Sequence, residues 1–270
     1  MPEIDPGDQS LKSLKGLHLW HAPLSSCSQR VRIVLDEMGK GYEGHLVNLK
    51  KDEHASEAYQ AIHPKGLVPA LVDNGRLFIE SIDIIQHVAV DVPELMRLES
   101  PELLQMADDA QMDLKLLTFE FLFRAEPPPL PQQAEAFQER HNNAWLRQFR
   151  KDFENGFDRD RLDSAVRRID AGFSHLDGLL ADGREYLAGD QFSLADIAWM
   201  PNVHRFALMD WPFDRTPNLA AWFERLSSRP SYKSALLDWQ DERAASTFAD
   251  YTKTRQAEGT DVRAFGGLSE

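Results

Sequence analysis

Cysteine is nearly absent: Cys27 is the only one in 270 residues, so no intramolecular disulfide and no cysteine-based zinc site can form. Positive charge is also in short supply. Against 44 Asp and Glu stand 30 Lys and Arg, a formal charge of −14. So acidic a surface repels phosphate backbones and anionic lipid, which excludes nucleic acid and membrane surfaces as expected partners. Long hydrophobic runs are missing too. The most apolar stretch, Leu114 to Phe123, is interrupted by Lys115 and Glu120 and is too short to span a bilayer. The amino terminus, Met1-Pro2-Glu3-Ile4-Asp5, has neither the basic nor the apolar region of an export signal. A cytoplasmic, reducing location is expected. What remains is an ordinary globular composition, 42% apolar and 27% charged, in a chain long enough for two unequal domains.

Up to about residue 90, short apolar strands alternate with short helices. Leu17-His18-Leu19-Trp20 reads as a strand, and Val31, Val34, Leu35 and Met38 as the apolar positions of a helix closed by Gly39 and Gly41. Tyr42 to Leu49 is a second strand candidate and Ala55 to Ile62 a short helix. Val68 to Val72 and Leu77 to Ile79 follow as strands, joined by the tight-turn signal Asp73-Asn74-Gly75-Arg76. Ser81 to Val90 is amphipathic and helical. The order βαβ, α, ββ, α predicts a small mixed sheet with helices on its faces.

From Ser100 onward the strand signals largely vanish. Ser100 can cap a helix with Pro101 at its first position and an apolar face running from Leu103 to Phe121. The run Pro127-Pro128-Pro129-Leu130-Pro131 stops it. A polar helix carrying Phe137, Trp145 and Phe149 follows, then one whose core face runs from Leu162 to Leu180. Ser193-Leu194-Ala195-Asp196 fits a capping box, and helices over Asn218 to Ser227 and Tyr232 to about Arg243 complete an all-α domain. The fold class is therefore α+β. Its expected divisions are a leader over 1–16, a mixed domain over 17–92, an all-α domain over 100–245 and a loosely held tail over 246–270.

Three segments can carry chemistry. In Ser25-Ser26-Cys27-Ser28-Gln29-Arg30-Val31-Arg32, hydroxyls and orphan backbone N–H groups meet at the start of a helix, a place that favours an anion. One of these serines can equally be a plain helix cap. In His63-Pro64-Lys65-Gly66-Leu67-Val68-Pro69-Ala70-Leu71, a cis bond before Pro69 would turn the backbone of Val68 outward, as an edge on which an extended peptide pairs. An edge-strand proline without a ligand is the plainer alternative. Glu80-Ser81 places a carboxylate beside a hydroxyl at a strand-to-helix junction, which suits the α-amino-acid end of a ligand, or a solvated acid next to a cap. The histidines His18, His21 and His63 lack any His-x-x-x-His spacing, so no metal site is expected.

The order of these segments resembles the cytosolic glutathione S-transferase superfamily over roughly residues 17 to 240. The Ser-Ser-Cys-Ser run with Arg-Val-Arg is similar to zeta-class enzymes. The Arg-rich stretch Trp145 to Phe157 and the segment Tyr186 to Asp196 are similar to bacterial glutathione-dependent β-aryl etherases, which cleave aryl ethers of lignin-derived compounds. The resemblance implies a thioredoxin-like first domain that binds glutathione as co-substrate, and a helical domain that holds a small hydrophobic or aromatic electrophile. It assigns Ser25, five residues before Arg30, as the hydroxyl that activates the thiol, with Ser26 and Cys27 as neighbouring candidates. Val68 and Pro69 match the edge that pairs with the cysteinyl part of glutathione, Glu80 and Ser81 match the γ-glutamyl contacts, and Lys50 or Lys65 would reach the glycyl carboxylate. His141, Trp145, Arg147, Arg150 and Arg205 are candidates for lining the electrophile pocket, or for an ordinary helix face. The resemblance also implies a homodimer. The implied activity is thiolytic substitution, ether cleavage in particular; the alternatives are a glutathione-dependent cis–trans isomerase and a glutathione-binding protein without turnover.

Overall fold

The computed structural model describes residues 3–96 and 100–269, Ser100 through its backbone alone. The chain divides into two compact units, Met1–Asp91 with Pro128–Glu154, and Val92–Pro127 with Asn155–Glu270.

The first unit is built on a mixed sheet of β1 (Glu3–Ile4), β2 (Leu17–His21), β3 (Glu43–Leu46), β4 (Ala70–Asp73) and β5 (Arg76–Ile79), in the order β1-β5-β4-β2-β3. Only β2 and β3 run parallel; the other pairs are antiparallel. Helices α1 (Ser26–Glu37), α2 (Glu57–Ile62) and α3 (Ser81–Val88) alternate with its strands along the chain. β4 is apolar at successive positions because both of its faces are covered. Ala70 and Val72 join Leu11, Leu77 and Ile79 on one face. The register partners Leu19, Leu71 and Phe78 share the other, where Phe78 stacks on His87 of α3 at 3.8 Å. The expected hairpin turn is present, with Asn74 at φ 49° and Gly75 at φ 84°, the left-handed pair that a two-residue turn requires. β3, at the sheet edge, is shorter than the predicted strand and reads Glu-Gly-His-Leu, a polar sequence suited to an open edge. The expected leader is part of the fold. Glu3 and Ile4 pair with Phe78 and Leu77, and Leu11 is buried in the core.

The second unit begins with α4 (Ser100–Asp109) and α5 (Gln111–Phe121), which the apolar periodicity had predicted as one helix. The cap expected of Ser100 concerns a side chain outside the described residues. The chain then returns to the first unit with α6 (Pro131–Arg140) and α7 (Ala144–Asn155). The expected all-α domain over 100–245 holds these residues, while their contacts group them with the first unit. The reason is a set of polar contacts that sequence spacing does not reveal. Gln60 Nε2 donates to the Arg140 C=O (2.9 Å), Gln133 Nε2 to Asp52 (2.8 Å), and Arg150 pairs with Asp52 at 2.6 Å while lying over the Phe137 ring. The predicted single polar helix breaks at His141–Asn143, where the Asn142 N–H donates to Gln60 Oε1 at 2.7 Å.

The second unit resumes with α8 (Arg159–Leu180), α9 (Leu194–Ala207), α10 (Pro217–Ser227), α11 (Pro230–Ala235) and α12 (Glu242–Ala257). At the start of α9 the buried Asp196 accepts from the N–H groups of Ser193 and Leu187 and from Trp222 Nε1, all within 2.8–2.9 Å. Burial pushes its carboxyl up, against these bonds that favour the carboxylate. The tail is not loose, contrary to expectation. Its apolar residues are few but placed: Phe248 and Phe265 pack on Phe123 and Phe121, Arg255 pairs with Glu120 at 3.1 Å, and the Gly266 N–H donates to Asp163 at 2.8 Å. Among the described residues, no helix is long and apolar enough to cross a membrane.

Candidate active site

The loop from β2 into α1 is held from below by a buried arginine. Arg32 Nη1 meets His21 Nδ1 at 3.1 Å and donates to the Ala22 C=O at 3.2 Å, while Nη2 donates to the Pro23 C=O at 2.9 Å. Burial, with the guanidinium close by, pushes the His21 pKa down to about 4, so its ring is neutral at pH 7 and Nδ1 can accept. The fixed loop delivers Ser25 as the N-cap of α1. Its Oγ accepts from the Ser28 N–H at 3.2 Å. Ser25 is thus the serine that caps, and the cap leaves its function open. A hydroxyl that accepts still carries its proton, and among the described residues the Ser25 O–H has no acceptor. Ser28, deeper in the helix, is buried and accepts from the Ala22 N–H. Ser26 is buried, and Cys27 is partly exposed in the first turn.

The second segment behaves in the same way. The Val68–Pro69 peptide is cis. Before it, three consecutive carbonyls are satisfied by side chains: Lys65 by Asn143 Nδ2 (3.5 Å), Gly66 by His141 Nε2–H (3.2 Å) and Leu67 by the Tyr59 hydroxyl (2.6 Å). His141 Nδ1 accepts from the Asn143 N–H at 3.0 Å, which fixes the tautomer that donates to Gly66. Gly66 has φ +59°, and a Cβ there would lie 2.6 Å from the His141 ring, so glycine is required. At Val68 the series ends. Among the described residues, no backbone hydrogen bond engages its N–H or its C=O.

The third segment meets the first through Arg30. This fully buried arginine donates from Nη1 to Ser81 Oγ at 3.1 Å, tying α1 to the start of α3. Ser81 again accepts, and its own proton has no acceptor among the described residues. Glu80 sits at φ 66°, ψ 118°, a backbone conformation costing about 1–3 kcal/mol for a residue with a side chain. Lys65 Nζ contacts Glu80 Oε1 at 2.6 Å, so the carboxylate already has a cationic partner of the kind an ammonium ligand would supply. Lys50 is exposed, and its carbonyl accepts from Gln133.

The residues offered either as lining for an electrophile pocket or as ordinary helix faces have these contacts within their own units. His141 holds Gly66, Arg147 donates to the His141 C=O, and Arg150 is committed to Asp52 and Glu154. Trp145 is exposed and stacked on Phe149 at 5.0 Å. Arg205 is buried in the second unit near the Phe123 ring, its pKa pushed down to about 10 by burial. The supports Tyr59, Arg32 and Asn143 went unread, because their partners are backbone groups that no side-chain spacing encodes. One further juxtaposition lies across two strands rather than along one segment. The register of β2 and β3 brings His18, Glu43 and His45 together.

A family model for the glutathione S-transferase N-terminal domain matches residues 19–94, and one for the C-terminal domain matches residues 132–225. The chain is 30% identical over 228 residues to Glutathione S-transferase 2 of Saccharomyces cerevisiae, covering 81% of this chain and 88% of that protein. It is 28% identical to a zeta-class glutathione S-transferase of Euphorbia esula, covering 83% and 91%. Among solved structures, beta-etherase LigF from Sphingobium sp. strain SYK-6 superposes with a TM-score of 0.70 at 24% identity, covering 81% of this chain and 98% of that one.

Proposed function

The chain belongs to the glutathione S-transferase family, with glutathione as co-substrate, and from that premise we propose that it activates the thiolate through Ser25 for attack on a small hydrophobic or aromatic electrophile. The observation that carries this reading is the Ser25 hydroxyl, held by the Ser28 N–H with its proton undonated at the amino end of a helix. A free thiol with a pKa of ~8.5 is only about 3% thiolate at pH 7. A hydrogen bond to a charged acceptor contributes roughly 1.5–3 kcal/mol and a helix terminus about 0.3–1 more, enough to lower that pKa by ~2 units. No metal and no general base are needed. Glutathione lies extended, its cysteinyl backbone pairing with Val68 and its γ-glutamyl end at Glu80 and Ser81, with Lys65 close to that end through Glu80.

The preferred reaction is thiolytic cleavage of an aryl ether. Sulfur bonds to the carbon bearing the ether oxygen as the carbon–oxygen bond breaks, and a phenolate leaves. The likeness to beta-etherase LigF supports it. Glutathione-dependent cis–trans isomerisation is the second reading, favoured by the Ser-Ser-Cys-Ser run and the zeta-class relative. Incubation with glutathione and either a β-aryl ether dimer or a maleyl-type diketo acid separates them. Release of a phenol supports the first, isomerisation without net glutathione consumption the second, and turnover of neither refutes both. We read the working unit as a homodimer, and sedimentation near twice 30.8 kDa would bear this out, whereas a monomer mass would not.

A further inference from the structure

His18, Glu43 and His45 stand on one face at the open edge of the sheet. His18 is the register partner of Glu43 on the parallel neighbour, and His45 follows two residues on, so all three side chains point the same way. His18 Nδ1 lies 3.2 Å from His45 Nε2, and the Glu43 carboxylate oxygens lie 3.5 Å from the first and 3.8 Å from the second. Two nitrogens at zinc's usual bond lengths and tetrahedral angles are ~3.3 Å apart. The imidazoles are therefore already at ligand separation.

The surroundings favour the same reading. His18 Nε2–H donates to the Lys15 C=O at 3.0 Å, which fixes the tautomer and leaves the Nδ1 lone pair facing the cluster. His45 stacks on Trp20 at 4.2 Å, which holds its ring plane beside the cluster. His18 is 7% exposed, while the Glu43 side chain is exposed and can swing onto an ion while a fourth position stays open to water.

We propose that His18, Glu43 and His45 form a binding site for a borderline-soft divalent cation, zinc foremost, that clamps the edge strand β3 to β2. Two imidazoles and one carboxylate suit zinc and its transition-metal neighbours and do not suit magnesium or calcium, which demand oxygen ligands.

The test is calorimetric titration of zinc chloride into the tag-free chain. Wild type should take up one equivalent and unfold about 3–5 °C higher at a tenfold excess over Kd. His45→Gln should weaken uptake about 100-fold or more, and Glu43→Gln should weaken it clearly, with glutathione binding unchanged in both. Magnesium and calcium chlorides should produce no shift. Should His45→Gln fail to fold, Glu43→Gln, on an exposed side chain, decides alone. No uptake below about 1 mM zinc, uptake unaffected by these variants, or uptake abolished by Cys27→Ala would overturn the proposal.

Discussion

Replacing Ser25 by alanine removes two interactions at once, and the structure separates them. The hydroxyl accepts from the Ser28 N–H as the cap of α1, and it carries the proton assigned to the thiolate. Loss of the cap costs about 1 kcal/mol, or ~2–4 °C in unfolding midpoint for a chain of this size. Loss of the charge-assisted hydrogen bond costs roughly 1.5–3 kcal/mol, which raises the thiol pKa of bound glutathione from ~6.5 by ~1–2 units and lowers the thiolate fraction, and with it turnover, at pH 7 by about 3- to 25-fold. Glycine at an N-cap is only a few tenths of a kcal/mol worse than serine. Ser25→Gly should therefore lose turnover as Ser25→Ala does while keeping nearly the wild-type midpoint. Thiolate absorbance against pH in the glutathione complex reads the first effect, and thermal unfolding reads the second. Part of the lost rate should return at high pH, where the thiol ionises unaided. Cys27→Ala should cost far less. If both Ser25 variants keep wild-type turnover while Cys27→Ala or Ser26→Ala abolishes it, the assignment of Ser25 is wrong.

Further consequences follow from the supports of the site. His141→Leu removes the donor to the Gly66 C=O, so glutathione Kd should rise about 5- to 30-fold with the thiol pKa unchanged; an unchanged Kd would show that the loop needs no such tether. His21, His63 and His204 are held at about 4, 4 and 3, mainly by burial, below the ordinary 6.5. Below pH 6.5 the unfolded chain binds protons that the folded chain refuses, so their contribution is complete above that pH and is lost as pH falls toward 4. Each adds up to ~1.4 kcal/mol per pH unit within that window. Denaturant unfolding at pH 7 and pH 5 should show the decline, and equal stability at the two pH values would contradict it.

Local signals were legible in the sequence. Asn74-Gly75 wrote its turn because both positions need positive φ, and the apolar run of β4 announced a strand covered on both faces. Ser25, Val68 and Glu80 stood out as residues at element junctions, where caps and open edges arise. What could not be read depends on pairs far apart in the chain. The membership of α6 and α7 in the first unit rests on Arg150–Asp52 and His141–Gly66, long-range partners joined by hydrogen bonds rather than periodicity. The tail looked unstructured because four apolar side chains, Phe248, Val262, Phe265 and Leu268, anchor it, too few to make a pattern. The His18–Glu43–His45 cluster is set by parallel register, which a search along one segment cannot see.

The most direct measurement is a crystal structure of the chain soaked with glutathione. The expected result is an extended peptide whose cysteinyl N–H and C=O pair with Val68, whose γ-glutamyl end lies at Glu80 and Ser81, and whose sulfur sits within hydrogen-bond distance of Ser25 Oγ. Sulfur bonded to Cys27 as a mixed disulfide, or glutathione seated away from Val68, would contradict it.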